Sequence, residues 1–276
     1  MSMAQSIRRP GQCGAAMMSL LFASTSIPAR SFFAAAYKPV HYVHQAEKVI
    51  EISPPEGQPI TASLVFMHGL GDTAFGWGGA MLEVASKIPG LRVYLPTASE
   101  KAVTLNGGYK MPSWYDIKSL EKNRANDDCD GIEDSRNIVI DLLEKEKNEF
   151  NLKENQLFVG GFSQGGALSL YTGLQFDGQK PLGGVICLSG YLANAGNWRL
   201  SEAGRRTRLG MFHGVDDPVV KLEWARQSFD KIKEAGMREV DLKEYQGLEH
   251  SATMEELEDV VTFLKNAISS ASEEDS

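Results

Sequence analysis

The pentapeptide Gly161-Phe162-Ser163-Gln164-Gly165 lies between an apolar run, Gln156 to Gly160, and the helix-forming run Ala167 to Tyr171. A serine with glycine two residues away on each side, placed where a strand turns into a helix, has the form of a nucleophile elbow. There the turn is strained and exposed, and the glycines let neighbouring backbone pack closely. Ser163 is therefore the candidate nucleophile. Gln164 falls at the helix N-terminus, with its backbone N–H aimed where negative charge develops when the serine attacks a carbonyl. The pentapeptide can also be read as a glycine-rich helix start capped by serine. The strand before it and the helix after it favour the elbow.

An elbow needs strands and helices in alternation, and the chain supplies them. Lys48 to Ile52 alternates like a half-buried strand, and Ala62 to Met67 reads as the next, so an edge hairpin is expected to open the sheet. Strand-like runs follow at Leu91 to Leu95, Gln156 to Gly160, Gly184 to Leu188, Leu209 to His213 and Val240 to Tyr245. Helical periodicity marks Gly79 to Ile88, Gly131 to Phe150, Gly165 to Gln175, Leu222 to Ala235 and Thr253 to Ile268. This pattern predicts one α/β domain, residues 47–268, with a mostly parallel central sheet and helices on both faces. At 276 residues and 42% hydrophobic content the chain needs no second domain. The acidic end, 269–276, is expected to be a solvated tail.

The loop Gly69-Leu70-Gly71-Asp72-Thr73-Ala74 formally matches a dinucleotide-binding Gly-x-Gly-x-x-Ala. That use requires an acidic residue at the end of the next strand for the ribose, but Leu95 is followed by Pro96-Thr97-Ala98. A second backbone donor to the oxyanion, the N–H of Leu70, is the better use of a glycine-rich loop after an early strand. His68, at a strand end, is expected to be a structural hydrogen-bonding histidine. The long connection between Pro96 and Asp130 contains Met111-Pro-Ser-Trp114-Tyr-Asp116, whose apolar side chains suit a site wall.

Hydrolases built on such a sheet order their triad as serine, acid, histidine along the chain. Of the five histidines, His250 alone lies beyond Ser163 with well-placed acids between. Asp216 and Asp217 directly follow the strand Leu209 to His213, whereas Asp177, Asp230 and Asp241 fall at or within other elements. Successive side chains on extended chain point in opposite directions, so only one of the pair can face the imidazole. Pro218 holds the residue before it extended, which selects Asp217.

Net charge is −8, with no cluster of Lys and Arg, so nucleic acid is not an expected partner. Cys13, Cys129 and Cys187 make neither a disulfide framework nor a zinc spacing, which fits a reducing compartment; Cys187 reads as an inert buried thiol. Residues 1–46 contain no Asp or Glu but carry Arg8, Arg9, Arg30 and Lys38; subtracting that +4 from −8 leaves −12 on the rest. This stretch reads as a leader or disordered extension, with mitochondrial transit peptide and secretory signal as the two addressing alternatives. No apolar run is long enough to span a bilayer.

Six ordered motifs carry a resemblance: His68-Gly-Leu-Gly-Asp-Thr73, Pro96-Thr-Ala98, Met111-Pro-Ser-Trp-Tyr-Asp-Ile117, Gly161-Phe-Ser-Gln-Gly-Gly-Ala167, His213-Gly-Val-Asp-Asp-Pro-Val219 and Gly247-Leu-Glu-His250. From about Ala62 to Leu264 the chain resembles the acyl-protein thioesterases of the lysophospholipase and carboxylesterase family, within the α/β-hydrolases. That resemblance implies catalytic Ser163, Asp217 and His250, with Leu70 and Gln164 as oxyanion donors. It implies hydrolysis of S-palmitoyl-cysteine on lipidated proteins, of lysophospholipids and of simple esters, without a cofactor, in a mostly cytosolic family that often dimerises weakly. Met111, Trp114 and Tyr191 are the expected acyl-groove residues; Tyr191 stands where animal relatives carry tryptophan. Bacterial relatives with the same motifs act as broad carboxylesterases, which is the alternative activity. An inert hydrolase fold that only binds lipidated partners is the alternative from another class.

Overall fold

The computed structural model describes residues 38–44, 48–119 and 129–274. Among the described residues, eight strands form one sheet in the order β1-β2-β4-β3-β7-β8-β9-β10. They are β1 (Val40–His44), β2 (Val49–Ser53), β3 (Ala62–Met67), β4 (Leu91–Leu95), β7 (Leu157–Phe162), β8 (Gly184–Leu188), β9 (Leu209–Gly214) and β10 (Val240–Tyr245). β1 and β2 pair antiparallel to their neighbours, and all pairs from β4 to β10 are parallel. A second, two-stranded sheet is made by β5 (Glu100–Val103) and β6 (Tyr109–Pro112). The helices are α1 (Ala74–Ser86), α2 (Ile132–Glu149), α3 (Gln164–Gly173), α4 (Glu202–Arg206), α5 (Leu222–Glu234) and α6 (Met254–Glu274).

Strand alternation divides the core into two. Leu64 and Phe66 of β3 join Met81 and Val84 of α1 and Val260 and Leu264 of α6 on one face. Val65 and Met67 join Val139 of α2, Leu168 of α3 and Ala225 of α5 on the other. The mostly parallel α/β architecture is the one predicted, and it places the loops after β3, β7, β9 and β10 at the carboxyl ends of the parallel strands, where such sheets build their sites. Among the described residues, no helix is long and apolar enough to cross a membrane.

Four local expectations change. β2 and β3 do not form a hairpin: β4 lies between them. All six residues of β3 are buried, so it takes an interior place with parallel neighbours, while half-buried β2 stays peripheral. Helix α1 begins five residues before Gly79, where the Thr73 side chain accepts from the Phe75 N–H at 3.3 Å; the glycines of its first turns mask its periodicity. The acidic tail is helical to Glu274, because Ala267 and Ala271 continue the buried stripe of Val260 and Leu264. Val40–His44, grouped with the leader by composition, is the antiparallel edge strand beside β2. The leader readings for residues 1–37 lie outside the described residues.

Candidate active site

Ser163 sits between β7 and α3 with φ 54° and ψ −114°, a region costly for any residue with a Cβ. Two backbone bonds hold it there: its N–H donates to Leu188 O at 2.8 Å, and its carbonyl accepts from Ala167 N–H at 2.9 Å. The elbow also depends on Gly165, where a Cβ would stand 2.3 Å from Met67 O. Helix α3 thus crosses directly over the end of β3, which a larger residue would prevent.

His250 Nε2 lies 2.9 Å from Ser163 Oγ, and His250 Nδ1 lies 2.6 Å from Asp217 Oδ2. The Asp217 carboxylate is buried, and its Oδ1 accepts from the N–H groups of Val219 and Val220, both at 2.8 Å. With the carboxylate accepting from Nδ1–H, Nε2 is left as the acceptor facing the serine hydroxyl. Asp216 is exposed and points elsewhere, its Oδ2 accepting from Gly247 N–H at 2.8 Å. Both aspartates thus reach the loop between β10 and α6, Asp217 at His250 and Asp216 at Gly247. The His250 ring packs on Phe162 with centroids 4.8 Å apart, and Phe162 packs on Trp77 at 5.0 Å, so the imidazole has an aromatic floor.

Leu70 N–H and Gln164 N–H have no hydrogen-bond acceptor among the described residues. They belong to the loop after β3 and to the first residue of α3, flanking Ser163. His68, just before that loop, sits in the core with both ring nitrogens engaged: Nδ1–H donates to Gly69 O at 2.7 Å and Nε2 accepts from Ala98 N–H at 3.0 Å. Burial lowers its pKa and keeps the ring neutral. His213 is likewise buried and lowered, donating through Nε2 to Val220 O at 2.7 Å behind Asp217. Both histidines position loops.

The expected groove residues separate. Met111 is partly exposed, and its sulfur would lie 3.5 Å from a Cβ on Gly71, so it borders the Leu70 loop. Trp114 and Tyr191 are only 2% and 6% exposed. Trp114 Nε1–H donates to His68 O at 2.9 Å, and the Tyr191 hydroxyl bonds that of Tyr115 at 3.1 Å. Both are buried, and each polar tip has a protein partner. Sequence reasoning also missed the side chain of Gln164, bonded to residues some fifty positions earlier; the polar Ser113 inside an apolar motif was the available signal.

A profile of the Phospholipase/Carboxylesterase family matches residues 47–268. The acyl-protein thioesterase 1 homolog 1 of Dictyostelium discoideum is 40% identical over 211 residues, covering 75% of this chain and 91% of that protein. Acyl-protein thioesterase 1 of Candida albicans is 33% identical over 223 residues, covering 78% and 96%. The crystal structure of Zea mays acyl-protein thioesterase 2 superposes with a TM-score of 0.67 at 27% identity, covering 82% of this chain and all of that one, 100%.

Proposed function

The chain belongs to the phospholipase/carboxylesterase family of α/β-hydrolases, and from that membership we propose that it is an acyl-protein thioesterase that removes long acyl groups from cysteine. The observation that carries the mechanism is the hydrogen-bonded series Ser163, His250, Asp217 on a strained strand-to-helix turn. His250 Nε2 takes the Ser163 proton as Oγ attacks the thioester carbonyl. The resulting oxyanion is held by the N–H groups of Leu70 and Gln164. Collapse breaks the C–S bond, and the cysteine sulfur leaves with the proton from His250. Water, deprotonated by the same imidazole, then attacks the acyl-enzyme, releases the fatty acid and restores Ser163. Asp217 holds the imidazole in the needed tautomer and supports its positive form.

Exposed apolar side chains near the site residues in the chain support a lipid-like acyl group. Phe75, Val219 and Met254 are exposed on or beside the segments that carry Leu70, Asp217 and His250, and partly exposed Met111 borders the same loop. Each methylene removed from water contributes about 0.8 kcal/mol at most, or about fourfold in kcat/KM. A series of S-acyl peptides from two to sixteen carbons should therefore rise steeply before levelling off. A flat or falling series, with oxygen esters cleaved equally well, would make the enzyme a general carboxylesterase instead. We place its activity in the cytoplasm, in keeping with two buried free thiols, Cys129 and Cys187. Residues 1–46 fused to a fluorescent protein test that placement, mitochondrial signal being the contrary result.

A further inference from the structure

The two proposed oxyanion donors stand on separate elements, and a third segment joins them. Gln164 is buried, and its side-chain amide is spent on Ser113 to Tyr115. Its Oε1 accepts from Trp114 N–H at 3.0 Å, and its Nε2 donates to Ser113 Oγ at 3.0 Å and to Tyr115 O at 2.7 Å. From the same segment two bonds cross to the loop that bears Leu70. Trp114 Nε1–H donates to His68 O at 2.9 Å, and Pro112 O accepts from Gly71 N–H at 2.9 Å. Leu70 lies between those two attachment points.

Resting on the hydrolase reading above, we propose that the Gln164 side chain is a positioning residue that sets the separation of the two oxyanion donors through residues 112–115. The peptide that bears the Leu70 N–H is oriented locally through Gly69 O, which accepts from His68 Nδ1–H at 2.7 Å and from Asp72 N–H at 3.2 Å, so what remains to be set is the place of that whole turn relative to α3. An oxyanion hole loses most of its value if one donor moves by about 1 Å. The ties from residues 112 and 114 hold the loop, and the Gln164 amide holds that segment relative to α3, whose first N–H is the other donor. A glutamine kept only for packing would not direct its oxygen and both its amide hydrogens into one three-residue stretch. Lys101 and Ser135 brace the segment from the far side, both donating to Trp114 O.

Gln164→Met tests this, since it preserves side-chain volume, helix propensity and the backbone N–H while removing all three bonds. We expect kcat to fall about 30-fold with KM within about threefold. Affinity for an alkylboronic acid, whose serine adduct places an oxyanion between the donors, should fall in the same proportion. Ser113→Ala, which removes the bond from Gln164 Nε2 and the Ser113 Oγ bond to Tyr115 O, should cost kcat about threefold to fivefold, and the double variant should lose less than the product of the two single losses, because both changes act on the same tie between Gln164 and residues 113–115. Gln164→Met folded by circular dichroism with kcat within twofold of wild type, or a loss confined to KM, overturns the proposal. If Gln164→Met does not fold, Ser113→Ala decides by the same criterion, an unchanged kcat counting against it. A wild type that a fluorophosphonate fails to label at Ser163 removes the hydrolase reading and this inference together, whereas a labelled wild type with unaffected variants removes only the inference.

Discussion

Replacing Asp217 with Asn changes one atom and reverses the hydrogen-bond logic of the site. Asp217 Oδ1 accepts two backbone N–H bonds at 2.8 Å, so the carboxamide oxygen of Asn will stay there and turn its NH₂ toward His250 Nδ1. At the 2.6 Å separation now filled by Nδ1–H and Oδ2, two donors cannot face each other. The imidazole must then carry its proton on Nε2, which lies 2.9 Å from Ser163 Oγ, and can no longer accept the serine proton. Loss of a triad acid through the wrong tautomer lowers turnover by about 10⁴, or about 5 kcal/mol of transition-state stabilisation. Asp216→Asn is the matched control: its exposed carboxylate accepts from Gly247 N–H, which an amide oxygen does equally well. That variant should lose tenfold at most. Pre-steady-state release of a chromogenic thiol, measured for both variants with folding checked by circular dichroism, gives the acylation rates directly. The reasoning is wrong if Asp217→Asn keeps within tenfold of the wild-type rate while Asp216→Asn abolishes acylation.

Gly165→Ala should destabilise the protein by about 3 kcal/mol, lowering Tm by about 6–12 °C, because the added Cβ would meet Met67 O at 2.3 Å and His68 O at 2.6 Å; a Tm within 2 °C of wild type by calorimetry contradicts the close approach of α3 to β3. Glu256, fully buried in the first turn of α6, has its pKa pushed up by burial from 4.5 to about 8, against the lowering effect of the Thr253 backbone N–H. The folded carboxyl keeps its proton while the unfolded one releases it, so its contribution is intact below pH 4.5 and is lost as pH rises to about 8, reaching an upper bound of about 5 kcal/mol. Glu256→Gln should therefore match wild type in Tm near pH 4.5 and exceed it increasingly toward pH 9, and an offset equal at both pH values would contradict the buried-acid account.

The sheet was legible because parallel strands buried on both faces read as continuous apolar runs: Ala62–Met67 and Gly184–Leu188 have every residue buried. The β5–β6 hairpin was not, since Glu-Lys-Ala-Val and Tyr-Lys-Met-Pro are short, hold no continuous apolar run and are partly exposed. Chain order and loop position indicated which histidine and aspartate to pair with Ser163, and the proline after Asp217 indicated which of two neighbours would face inward. The groove residues were harder. A tryptophan or tyrosine looks the same in sequence whether it lines a cavity or backs its wall, and the burial and partners of Trp114 and Tyr191 come from contacts that spacing does not show. The ties of Gln164 were equally hidden, because its partners lie some fifty residues away in the chain.

The most direct measurement of the central claim is the site of acyl transfer. Mixing the enzyme with an S-palmitoyl peptide, quenching in acid on the millisecond scale and mapping the modified fragment by mass spectrometry should place a palmitoyl ester on Ser163. Ser163→Ala should give no adduct and lose about 10⁶ in turnover. A palmitoyl group found on another residue, or a Ser163→Ala variant that still releases thiol within tenfold of the wild-type rate, would contradict the account.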